Sequence, residues 1–194
     1  MNIIEIFTKS IFLIISFDSD LWEIIILSLY VSISALIIAS ILGLLIGYYI
    51  ALKKFLFKSF ILIVLNSLMG IPPVVVGLIV YFMFASGGPF GVLQLLYTPT
   101  AMIIAQVIII FPIVTSISHE IFDQNWREYK DQLRSINMPF FGVAFIITKH
   151  SYFLVITALL SAFGRAISEV GAVMIVGGNI DHFTRVMTTA ISLE

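Results

Sequence analysis

Two long stretches of the chain, Ile24 to Leu52 and Ser59 to Ser118, contain no charged side chain. A water-soluble fold needs charge on the outer side of its surface elements, and neither stretch can supply it. A helix that crosses the hydrocarbon layer needs about 20 mostly apolar residues. The first stretch holds one crossing and the second is long enough for two. Composition agrees, with 60% of the 194 residues hydrophobic and 11% charged, against about 25% charged in ordinary globular domains. These features predict an all-α integral membrane protein, a polytopic helical bundle of about four spans forming one transmembrane domain over residues 1–194.

The formal net charge of -1 gives no bulk attraction to nucleic acid, so none is expected as a partner. The absence of cysteine excludes disulfides and thiolate metal sites. His119, His150 and His182 lie far apart in sequence without ligand spacing, and no metal site is predicted.

Residues 1–17 are apolar but carry Glu5 and Lys9, with no small-residue cleavage site after them. Ile3, Ile4, Phe7, Ile11 and Ile14 fall near one helical face, so an amphipathic helix lying on the lipid surface is expected. A short extra span is the alternative. The first span is expected over 21–52, where Gly43 and Gly47 form a small-residue pair that lets a second helix approach closely. The second is expected over 60–85. Pro72 and Pro73 remove backbone donors within it, so that helix must kink or break. Irregular backbone at membrane depth is tolerated where protein or water re-satisfies it. A gate at this break, with Val74, Val75 and Val76 as an apolar constriction, is one reading; a plain kink is the other. The third span is expected over 98–118, with Pro112 as a further kink, and the fourth over 152–176.

Residues 119–150 differ in kind. Glu120, Asp123, Arg127, Glu128, Lys130, Asp131, Arg134 and Lys149 make this a loop in water. The i, i+4 spacing of Arg127 and Asp131 predicts a short helix there. A second helix is expected after Asn137-Met138-Pro139. The 119–150 loop and the turn with Lys53, Lys54 and Lys58 hold seven of the ten Lys and Arg residues. That side is expected to be cytoplasmic, with the N-terminus external, in the plasma or inner membrane.

Several blocks resemble one family. Asp131-Gln132-Leu133-Arg134-Ser135-Ile136-Asn137 sits where importer-type ABC permeases carry their Glu-Ala-Ala loop, with Asp131 for the Glu, Leu133 for the second Ala and Asn137 for the Gly. Asn tolerates the left-handed backbone of such a turn. The span containing Ser161-Ala162-Phe163-Gly164-Arg165-Ala166-Ile167-Ser168-Glu169-Val170-Gly171-Ala172-Val173 resembles the segment after that loop in oxyanion permeases. Ile71-Pro72-Pro73-Val74-Val75-Val76-Gly77-Leu78 is similar to the same group's pore segment. Val176-Gly177-Gly178-Asn179-Ile180 and Thr184-Arg185-Val186-Met187-Thr188-Thr189-Ala190-Ile191 look most like the tungstate branch. The resemblance implies an importer-type ABC permease fold and one further span after this last block.

The resemblance also implies a division of labour. No glycine of the chain is followed by lysine, so the phosphate loop of an ATPase is absent. The chain is expected to be a transport subunit and not an enzyme, with no cofactor of its own. ATP and Mg are expected on a separate cytoplasmic ATPase dimer, with an external substrate-binding protein and a second copy of the chain as further partners. That second copy would account for Ser32, Ser34, Gly43 and Gly47 as packing faces. Arg127, Asp131, Gln132, Leu133, Arg134, Asn137, Phe140 and Phe141 are the expected ATPase-docking residues, with Ile136 and Met138 as an apolar end; a solvated loop is the alternative. Arg165 and Glu169 lie i, i+4 inside a span, either as a gate element or as a structural ion pair. Asn179, Thr184, Thr188 and Thr189 are candidate neutral donors at the external mouth; polar residues of an ordinary loop are the alternative. The cargo expected is an oxyanion, tungstate ahead of molybdate or sulfate. An ion-coupled secondary transporter and a membrane scaffold are the readings from other classes.

Overall fold

The computed structural model describes Phe12, Ile15, Ser16 and residues 18–193. The surface helix expected over 1–17 therefore lies, apart from those three residues, outside the described part. All regular structure among the described residues is helical. In order these are α1 (Ser19–Leu52), α2 (Lys58–Met69), α3 (Pro73–Phe84), a 3-10 turn at Gly91–Leu93, α4 (Pro99–Ser135), α5 (Phe140–His150), α6 (Tyr152–Ile167), α7 (Gly171–Gly177) and α8 (Met187–Leu193). Helices α1 and α4 are each long and apolar enough to cross a membrane alone, and two bent pairs, α2 with α3 and α5 with α6, bring the number of crossings to as many as four.

Helices α1 and α4 form the spine. At 34 and 37 residues and about 1.5 Å per residue, each far exceeds the ~30 Å hydrocarbon layer. Their starts are set locally: Asp18 accepts the Leu21 N–H, and Thr98 accepts that of Ala101 just before Pro99. Small buried residues run down one face of α1, among them Ser32, Ala35, Ala39, Gly43, Gly47 and Ala51. That face lies on α4. A Cβ on Gly43 would sit 2.8 Å from Val114, and one on Gly47 would sit 2.8 Å from the Thr115 carbonyl. Of the residues assigned above to a second copy of the chain, Ser32, Gly43 and Gly47 are thus used inside the chain, because close backbone approach is what lets two helices pack in lipid, while Ser34 is only half-buried.

Helix α4 continues without interruption past Ser118, where a loop was expected, to Ser135. Polarity changes at His119, but the i to i-4 hydrogen bonding need not. Pro112 lies within α4, and Thr115 bonds back to the Phe111 carbonyl beside it. The fourth span expected over 152–176 is likewise two helices, α6 and α7, interrupted at Ser168–Val170.

Apolar residues gather in two clusters. One joins α1, α3, α4, α6 and α7 around Val31, Val80, Met102, Ile110 and Val173. The other joins the far end of α1 to α4, α5 and α6 around Tyr48, Phe122, Leu133 and Ile147. The 3.2 Å contact of Lys58 with Asp123 brings the α1–α2 turn to the polar end of α4, so both Lys- and Arg-rich segments share one end of the bundle.

Candidate functional site

Two helix breaks meet in the bundle. The first separates α2 from α3 with a bend of 99°. Pro72 is the N-cap of α3 and Pro73 its first residue, where a missing N–H costs nothing. The second break is Ser168–Val170. Here the Glu169 carboxylate, 4% exposed, accepts the Ala172 N–H at 3.2 Å and so satisfies a donor that the first turn of α7 leaves open. Arg165 reaches the same carboxylate at 3.4 Å. Helices α3 and α7 pack closely beside these breaks: a Cβ on Gly77 would sit 2.7 Å from Ala172 Cα, and one on Gly171 would sit 2.6 Å from a Val74 methyl. Val74 and Val75 are otherwise about half exposed, whereas Val76 is buried.

Beside the first break lies an apolar cleft of about 400 Å³ whose lining includes Ile71, Val76, Pro112 and Arg165. Arg165 is its one charged lining residue. The sequence-predicted gate residues Pro72, Pro73, Val74, Arg165 and Glu169 are thus brought into one region. Arg165 is both a partner of Glu169 and part of the cleft wall, whereas Glu169 is not among the cleft's lining residues.

The α4–α5 hairpin forms a second site at the basic end. Helix α4 stops through its own backbone: Asn137 has φ +48, its N–H reaches the Arg134 carbonyl, and the Met138 N–H reaches that of Leu133. This is the double closure that a left-handed residue allows, and Pro139 prevents continuation. The Asn-for-Gly replacement read from the sequence keeps the turn. Asp131, Gln132, Arg134 and Asn137 are exposed, and Ile136, Phe141 and Phe145 present apolar side chains outward. Leu133 departs from the expected docking set, because it is buried in the second core cluster. The hairpin is fastened to α1 by Tyr48, whose hydroxyl donates to the Phe140 carbonyl at 2.7 Å. The Tyr48 ring meets those of Phe122 and Phe140 edge-on.

Asp123 is the ionic centre of this end, 3.2 Å from Lys58 and 2.6 Å from Arg127. Burial pushes its carboxyl up, but the Lys58 ammonium and Arg127 guanidinium outweigh that and hold it below its ordinary value. Arg127, assigned from sequence to docking, is engaged in this pair.

The opposite end is closed by short-range bonds. Tyr97 N–H donates to the Val176 carbonyl, and His182 meets Glu23 at 2.9 Å. The threonines expected to greet an anion here are already committed. Thr184 is 1% exposed, donates to the Gly177 carbonyl and accepts the Ile180 N–H. Thr188 donates to the Glu169 carbonyl and Thr189 to that of Val186. A hydroxyl has one proton to give, so these three have no donor left for a passing anion, and the mouth assignment of Thr184 and Thr188 is corrected to loop and break support. Asn179 stands at φ +50 in the turn after α7.

Sequence reasoning missed Tyr48 and Gln106. Gln106 is 4% exposed and donates to the Ala166 carbonyl at 3.0 Å, across to the last turn of α6. Its signal was present: an amide inside a charge-free span needs a partner. Tyr48 had none, being one aromatic among many.

Comparison with known proteins places the whole chain in a family. Residues 39–193 match the family described as binding-protein-dependent transport system inner membrane component. The chain is 39% identical over 191 residues to a tungstate uptake system permease protein of Peptoclostridium acidaminophilum, covering 98% of this chain and 84% of the relative. It is 40% identical over 172 residues to a probable anion ABC transporter permease protein of Haloferax volcanii, covering 86% and 74%. It is 36% identical over 141 residues to a tungstate uptake system permease protein of Campylobacter jejuni, covering 73% and 59%.

Proposed function

The chain belongs to the family of binding-protein-dependent transport inner membrane components, and from that membership we propose that it is the membrane-spanning subunit of an ATP-driven importer of tungstate. It is a permease subunit of the membrane and does not itself carry out catalysis. The observation that carries the choice of cargo is the similarity to a tungstate uptake permease along 98% of the chain.

The proposed route from energy to gate runs along the bundle's own contacts. A cytoplasmic ATPase dimer would seat the exposed face of the α4–α5 hairpin, with Asp131, Gln132, Arg134, Asn137 and Phe141 as contacts. Displacement of the hairpin would reach α1 through Tyr48 and would travel along α4, which is one unbroken helix from the hairpin to the gate region. Because α4 lines the cleft and holds α6 through Gln106, its movement would shift the Pro72 and Glu169 breaks together. Two copies related by a two-fold axis would place these breaks on either side of the passage. An external binding protein would deliver the anion. Little in the bundle is charged, so weak contacts would let a dianion leave as readily as it enters.

Reconstitution of the chain with its ATPase and tungstate-loaded binding protein in liposomes tests this. Tungstate uptake that requires ATP is expected. Uptake that persists without ATP and collapses with an ion gradient would replace the proposal with a secondary transporter. ATP-dependent uptake of molybdate or sulfate with no uptake of tungstate would correct the cargo alone.

A further inference from the structure

Between α1, α4, the Ser168–Val170 break and the segment leading into α8 lies a partly open cavity of about 10 Å³. That is about the space one water molecule requires. Its lining is unusual for a span interior, because Ser28, Ser32, Gln106, Glu169 and Thr188 all present oxygen-bearing side chains to it. One of these carries an unmet hydrogen-bond acceptor. Gln106 is 4% exposed and gives its Nε2 to the Ala166 carbonyl, which leaves its buried Oε1 without a partner. Turning the amide over would set two acceptors against each other and would not satisfy it.

The neighbours, the Ser32 hydroxyl included, do not supply the missing proton, since no donor reaches Gln106 Oε1. Ser28 gives its hydroxyl proton to the Ile24 carbonyl and accepts the Met187 N–H. Thr188 gives its proton to the Glu169 carbonyl. The Glu169 carboxylate accepts only, from Ala172 and Arg165. The cavity therefore needs either a neutral donor or a cation. Charge decides between them: Arg165 already neutralises Glu169, so a bound cation would leave net positive charge in a low-dielectric interior, whereas water adds none.

We propose that this cavity is a binding site for a single water molecule, which donates to Gln106 Oε1 and bridges α4 to the Glu169 break. The site stands on the chain's own geometry, whichever anion is carried.

The test is a structure of the full chain in lipid nanodiscs, with whatever partners co-purify, at a resolution that shows ordered waters and in both sodium and choline buffers. One density peak within hydrogen-bonding distance of Gln106 Oε1, equal in the two buffers, is expected. An empty cavity overturns the proposal, as does a peak lost when choline replaces sodium, which would make the guest a cation. Gln106→Leu is expected to remove the peak, and its persistence there would also overturn the assignment. Should Gln106→Leu fail to fold, Ser32→Val, which fills the cavity from α1, is expected to displace the same peak.

Discussion

Single side chains in this chain act mainly by satisfying what a helix end leaves open. Tyr48 acts differently: its hydroxyl gives a second bond to the carbonyl of Phe140, the first residue of α5, and so ties the hairpin to α1. Tyr48→Phe keeps the ring contacts and loses one hydrogen bond, about 1 kcal/mol. Tyr48→Ala loses the packing too, about 3–5 kcal/mol. If the hairpin drives α1 through this contact, Tyr48→Phe lowers tungstate transported per ATP hydrolysed while ATPase binding persists. Equal loss of both activities would make Tyr48 a stabilising residue only. Asp123 makes a second prediction. Its folded carboxyl titrates below the ordinary 3.8, so the ion network stabilises fully above that value and is lost as pH falls through the depressed one. With Lys58 and Arg127 partly exposed, Asp123→Asn should cost on the order of 1 kcal/mol at neutral pH. The cost should vanish in strong acid, as read by thermal unfolding in detergent across pH.

At the scale of elements, what was legible in the sequence was what is decided locally. Pro72-Pro73 breaks a helix in any surroundings, and Asn137 before Met138-Pro139 ends one, so both appear where the residues put them. The break at Ser168–Val170 was illegible, because it is held by partners far away in sequence: Thr188 on the Glu169 carbonyl and Gln106 on that of Ala166. The polar segment after Ser118 was misread as loop because charge marks contact with water and not the end of a helix. The α1 stripe was read correctly as a packing face but given the wrong partner, since small residues announce close approach without naming the helix that approaches. Gly47→Leu tests that correction. The side chain would enter the Thr115 carbonyl and His119 backbone of α4, so the folded yield of the single chain should fall. If only self-association fell, the stripe would belong between copies. The loop after α7 is fastened to α1 by His182 on Glu23, and that hydrogen bond, with Asp181 nearby, raises the imidazole above its ordinary 6.5. A raised value means the clasp is complete below 6.5 and is lost as pH rises through the folded value. Hydrogen exchange over residues 178–186, corrected for intrinsic rate, should therefore quicken with pH in that window, and His182→Ala should abolish the change.

The whole molecule has two chemically distinct ends, and their difference sets its orientation. The turn carrying Lys53, Lys54 and Lys58 and the polar part of α4 are joined by the Lys58–Asp123 pair, with the hairpin fastened beside them by Tyr48. The start of α1, the Ser86–Thr98 connection and the turn after α7 are joined at the other end through His182–Glu23 and Tyr97–Val176. Positive charge is retained on the cytoplasmic side during insertion, so the end with the lysine turn should face the ATPase and the other should face the binding protein. A chain without cysteine lets this be read cleanly, because any introduced thiol is the only one. Gly87 is exposed with open space around it, and Lys54 and Phe141 are exposed at the opposite end. A membrane-impermeant maleimide should label Gly87→Cys on intact cells and should label Lys54→Cys and Phe141→Cys only after lysis. The reverse pattern would invert the molecule and remove the hairpin from the reach of any cytoplasmic ATPase. Labelling of Lys54→Cys and Phe141→Cys from different sides would break the shared end itself, and with it the path from hairpin to gate.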